Sequence, residues 1–135
     1  MDAELKKKLQ ERFMENLSNI VTGDDSNDNA ESIILQIIDQ LKADRSLNDK
    51  VRYSDTEGTL LYYVLRFDTQ GEDINNKEKR LNSPKLKQIE KVLRDAGIGE
   101  WGREVPKEEL GEETLEGLRL YAHLDNRQNF SPENL

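Results

Sequence analysis

The 135-residue sequence contains no cysteine. That single absence removes disulfide frameworks, thiol nucleophiles and thiolate metal sites. Histidine occurs once, at His123, with no second histidine and no carboxylate cluster at ligand spacing, so a zinc site is not expected. Aromatic residues make up only 6% of the chain, and Trp101 is the sole tryptophan. Nowhere do about 18 consecutive apolar residues occur, which is the length needed to cross a bilayer as a helix. The N-terminus, Met1-Asp2-Ala3-Glu4, lacks the basic and apolar regions of a signal peptide. A soluble cytoplasmic protein fits these absences.

Catalytic signatures are missing in the same way. None of the seven serines lies in a nucleophile elbow, and no P-loop, kinase motif or internal repeat is present. The paired acids Glu108-Glu109 and Glu112-Glu113 stand in so acidic a segment that a solvated face is the simpler reading. No cofactor is indicated. The balance leans away from an enzyme, although a site assembled from residues distant in sequence stays open as one reading.

What the chain has in quantity is charge. Charged residues are 36% of the total and the formal net charge is −8. Residues 1–50 carry 7 Lys and Arg against 11 Asp and Glu, and 101–135 carry 4 against 8, while 51–100 is neutral with 9 of each. The acidity belongs to the ends. It favours solubility and disfavours a general nucleic-acid or anionic-membrane surface.

The hydrophobic share is a modest 34%, but it falls in periodic blocks, so one core can form. The densest block is Thr59-Leu60-Leu61-Tyr62-Tyr63-Val64-Leu65-Arg66-Phe67-Asp68. It is short and rich in β-branched and aromatic residues, and it reads as a central strand apolar on both faces. Before it, Leu5, Leu9, Phe13, Leu17 and Ile20 or Val21 place a helix over 3–22, with Asp2 as cap and Gly23 as stop. A second helix over 30–43 has Ile33, Ile34, Ile37, Ile38 and Leu41 on a broad apolar face. Asp28 and Glu31 make a capping box for it. Val51-Arg52-Tyr53 reads as a strand joined through the turn 54–58 to the central one.

Gly23 to Asn29 resembles a calcium loop only superficially. Started at Asp25, the sixth position is Ala30 instead of glycine and the twelfth is Gln36 instead of glutamate. Metal binding is therefore not expected.

A third helix opens at Ser83-Pro84, a capping serine followed by proline at the first helical position. Leu86, Ile89, Val92, Leu93 and Ala96 form its stripe, Gly97 ends it, and Ile98 can fold back onto Leu93. Gly97-Ile98-Gly99-Glu100-Trp101-Gly102 then matches G-x-G-x-x-G literally. The dinucleotide motif needs a strand before the glycines and a helix after them, and here the order is reversed. These glycines read as a tight turn beside Trp101, whose ring is either a core cap, the favoured reading, or an exposed contact. Beyond it, Leu118 to Leu124 alternates apolar and polar residues and reads as a strand, with a helix over 116–124 as its rival.

Together these elements describe an α+β domain over 1–125, with helices on a mostly antiparallel sheet in the order α-α-β-β-α-β-β. Residues 126–135 read as a flexible tail. One segment opposes the overall charge. From Lys77 to Arg94, seven basic residues face two acidic ones. Lys77, Lys79, Arg80, Lys85 and Lys87 are the candidate contacts for an anion or an acidic partner, with Trp101 as a candidate aromatic contact. The functional class is a non-catalytic protein-interaction or regulatory module. Nucleic-acid or phosphate binding through 77–94 is the alternative, and its weakness is that no aromatic residue lies in the segment to stack on bases.

Overall fold

Asp2 accepts the Leu5 amide at 2.7 Å and so starts α1, Ala3–Thr22, in the computed structural model, which describes residues 1–23, 29–71 and 73–109. Gly23 ends the helix in a left-handed conformation, as the sequence indicates. Leu9, Phe13 and Leu17 of the apolar stripe are buried together with Met14 and Asn16. Leu5, at the start of the stripe, is 48% exposed. Helix α2, Ala30–Ala43, has the bounds that the periodicity sets and buries Ile34, Ile37, Ile38 and Leu41. The Asp28 cap and the calcium-like residues Asp24 and Asp25 lie outside the described residues.

Strands β1, Val51–Tyr53, and β2, Thr56–Gly58, are joined by Ser54 and Asp55 alone. A two-residue connection makes the pair an antiparallel hairpin, and Ser54 takes φ 57° to close it. The return strand thus ends at Gly58, not at Asp68.

The block at 59–68 is a helix, and the strand reading is corrected here. Thr59 caps α3, Leu60–Asp68, its hydroxyl oxygen accepting the Tyr62 amide at 3.2 Å. Leu60, Leu61, Tyr62, Tyr63, Val64 and Leu65 are all buried. A run that is apolar at every position satisfies a period of 2 and a period of 3.6 equally well. Such a run fits a helix enclosed by other helices as well as a strand between layers. Tyr63 has no exposed surface, and its hydroxyl donates to the Val51 carbonyl at 2.9 Å. Packing against α1 and α4 encloses the helix, and Thr59 caps it.

Helix α4, Pro84–Asp95, begins where Ser83-Pro84 announces it, with the Ser83 hydroxyl accepting the Leu86 amide. Its end is a Schellman motif. Ile98 N–H donates to Leu93 O at 3.0 Å and Gly97 N–H to Arg94 O at 2.9 Å, with Gly97 at φ 84°. Ile98 is buried against the core, as the C-terminal pattern requires.

A third strand, β3, spans Gly102–Glu104, and the sheet order is β1-β2-β3. Hydrogen bonds from Thr59 N–H to Trp101 O and from Val105 N–H to Asp55 O run in opposite chain directions, which makes β2 and β3 antiparallel. Among the described residues the fold is thus α+β, with four α-helices and one three-stranded antiparallel sheet. The main packing is helix on helix, α1 on α2 and α3 on α4, with α3 also against α1.

By its contacts the chain forms two units. The first, Met1–Val51 with Gly58–Gly102, holds all four helices and the hydrophobic core. The second takes Arg52–Glu57 and, of the described residues, 103–109. Within it, Arg103 bonds Glu109 at 2.7 Å and Glu57 at 3.4 Å. Residues 107–109 make a single 3-10 turn. The strand or helix over 116–124, His123, the acidic pair Glu112-Glu113 and the tail 126–135 lie outside the described residues.

Candidate functional site

The basic segment is where positive charge most outweighs negative along the chain, and folding redistributes it. Lys77 and Lys79 sit in an exposed 3-10 turn capped by Asn76, whose side chain accepts the Glu78 amide. Arg80 follows and turns inward. Its Nε donates to Asp68 Oδ2 at 2.7 Å, and its terminal nitrogen to Glu90 Oε2 at 2.8 Å. The Asp68 side chain is only 3% exposed, and it also accepts the Leu81 amide at 3.2 Å. Burial works to lower the Arg80 pKa, but hydrogen bonds and charge from Asp68 and Glu90 outweigh it and hold the guanidinium above its ordinary value. Glu90 in turn bonds Arg94, which also reaches Glu100. Asp68, Arg80, Glu90, Arg94 and Glu100 form an alternating chain of charges that ties the loop before α4 to α3 and to the turn after α4.

Two of the segment's strongest cations are thereby bonded to carboxylates inside the fold. Lys91 pairs with Asp95 at 3.2 Å on the exposed face of α4. Lys87 is exposed in the first turn of that helix. Lys85 lines an open cleft of about 310 Å³ together with Glu31, Ser32, Leu35, Gln36 and Asp39. Lys77, Lys79, Arg80, Lys85 and Lys87 therefore have different surroundings.

Trp101 is the other residue singled out by sequence, and the core reading favoured for it is corrected: the residue is 42% exposed. Its backbone, in contrast, is tied down. Thr59 N–H donates to Trp101 O at 2.9 Å, and Thr59 Oγ1 donates to Gly99 O at 2.7 Å. Gly58 and Gly102 lie directly on the ring of the buried Tyr62. A Cβ added at either glycine would overlap that ring, and at Gly58 it would also meet Trp101 O at 2.9 Å. The close approach holds the chain on both sides of the hairpin strand and leaves the indole outside. The turn function read for the glycines of G-x-G-x-x-G holds, and their roles differ: Gly97 ends a helix, while Gly102 gives clearance for Tyr62.

Over the indole lies Lys50, with Nζ 4.2 Å from the ring centroid, a cation–π contact. No local signal in the sequence could pair Lys50 with a ring so far along the chain. Asp68 did carry a signal, since it is the acid that closes an apolar run just before a basic loop. The carboxylates next to these residues in sequence are occupied. Asp49 accepts from Lys6 at 2.8 Å, and Glu100 is held by Arg94. The Asp49 contact raises the Lys6 pKa above the ordinary lysine value.

Among the described residues, no group of three or more His, Cys, Asp or Glu is placed to hold a metal, and every buried side-chain polar atom has a hydrogen-bond partner. Nor is any helix among them long and apolar enough to cross a membrane. The chain matches no protein-family model, no curated protein and no solved structure.

Proposed function

We propose that this chain is a protein-interaction module and that Trp101 is the centre of its contact surface. The observation that carries the reading is an outward indole on an anchored backbone. Single exposed apolar residues are ordinary on protein surfaces. Trp101 differs in that its carbonyl, the preceding turn and the following glycine are all fixed against Thr59 and Tyr62. A large aromatic whose position is set before binding loses little conformational freedom on contact, which is why tryptophan is frequent among the residues that dominate interface energies.

The test is affinity capture with the wild-type chain and Trp101→Ala in parallel, after circular dichroism has shown that the variant keeps its helices. A protein captured by the wild type and lost from the variant is the expected result. Equal capture by both would remove Trp101 from the contact surface and overturn the reading.

A further inference from the structure

Resting on the interaction reading above, we infer that the Trp101 surface recognises an acidic peptide segment of its partner, one that sets a carboxylate against Lys50 and an apolar side chain against the indole. The argument is one of charge left over. In a protein of net charge −8, cations are readily bonded to carboxylates within the fold. Lys6, Arg80, Lys91, Arg94 and Arg103 all are. Lys50 is exposed, and among the described residues its partner is the Trp101 ring and no carboxylate.

The nearest acids in sequence do not answer it. Asp49 is taken by Lys6 and Glu100 by Arg94. An ammonium over an indole is thus presented beside a large apolar surface, and among the described residues no carboxylate neutralises it. The cation–π contact holds Lys50 in place while leaving hydrogen-bond donors on its ammonium for an incoming acceptor. A carboxylate next to an aromatic or aliphatic side chain matches both features at once. A long polyanion does not, because a single cation releases few counterions and the net charge of the chain repels it.

Selection of short random peptides on a display library against the full chain tests this directly. The enriched sequences are expected to place Asp or Glu beside an apolar residue. Synthetic copies should change the emission of Trp101, the only tryptophan, with an affinity that falls as salt rises. Lys50→Gln, at an exposed position that leaves the fold intact, should weaken binding about tenfold. Enriched peptides that are neutral or basic, lost with Trp101→Ala but indifferent to Lys50→Gln, would overturn the acidic-segment inference and leave the interaction reading standing. No enrichment dependent on Trp101 would overturn this inference as well, and the capture experiment would then decide the broader reading alone. Inorganic phosphate and a short oligonucleotide serve as further probes. An emission change from either, matching that from the peptides and lost with Lys50→Gln, would sink the peptide assignment in favour of a phosphate ligand.

Discussion

Thr59 joins two parts of the chain with one side chain: its hydroxyl accepts the Tyr62 amide at 3.2 Å and donates to the Gly99 carbonyl at 2.7 Å. It caps the most buried helix and fixes the turn that presents Trp101. Thr59→Val keeps the shape but removes both bonds, and should cost about 1–3 kcal/mol in urea unfolding. Thr59→Ser keeps both and should cost less. No loss for Thr59→Val would mean that the two hydroxyl bonds contribute nothing, and equal losses for the two variants would mean that the methyl group contributes as much as they do.

Arg80 and Asp68 offer a second test. Removing Arg80 leaves a nearly buried carboxylate with, among the described residues, only the Leu81 amide as a hydrogen-bond donor, so Arg80→Ala should destabilise by about 3 kcal/mol. Adding Asp68→Asn to that variant should recover part of the loss, since the uncompensated charge is gone. Strictly additive effects in a double-mutant cycle would show that the pair is not coupled.

The glycines of the G-x-G-x-x-G stretch should separate cleanly. A methyl group at Gly102 meets the Tyr62 ring, and Gly102→Ala should cost about 1–3 kcal/mol. At Gly99 nothing lies within 4 Å of an added Cβ, so Gly99→Ala should stay within about 0.5 kcal/mol of wild type. Thermal melts of the two variants suffice.

Helical geometry at 60–68 makes its own distinction. On a strand, Leu61 and Phe67 would share a face and matter alike. In α3, Leu61 is fully buried and Phe67 only partly so. Leu61→Ala should cost about 2–5 kcal/mol and Phe67→Ala clearly less. Cα chemical shifts over the same residues should show helix.

Lys6 gives a pH prediction. Its hydrogen bond to Asp49 raises its pKa above 10.5. A value raised by folding means that the contact stabilises fully below the unfolded-state pKa and is lost as pH climbs through the folded-state value. Carbon NMR of the Lys6 side chain should therefore show titration above the ordinary lysine value, and Asp49→Asn should return it to the ordinary range. An unchanged titration in that variant would argue against the pair in solution.

The residues that declare their structure in the sequence are those whose partners are three or four positions away. Ser83, Pro84 and Gly97 bound α4 in the sequence as they do in the fold, and Asp2 and Gly23 do the same for α1. Leu60 to Leu65 give no such indication, because an all-apolar run has no phase to read and its packing partners, α1 and α4, are remote. The exposure of Trp101 is illegible for a related reason. Residue type favours burial, while its exposure is decided by Tyr62 occupying the space beneath Gly58 and Gly102. Counting charge from Lys77 to Arg94 likewise missed that Asp68 and Glu100, both outside the segment, bond two of its arginines.

The Thr59–Gly99 hydrogen bond spans 40 residues of chain. Closing a loop of that length carries an entropic cost that local helix formation does not. Helices α1 and α2 can therefore pair early, while the Trp101 turn docks only after α4 is in place. During synthesis, α3 leaves the ribosome with its capping threonine still lacking the Gly99 carbonyl, and the Trp101 turn docks later. A partner that binds through Trp101 would meet only chains whose helical core has already closed.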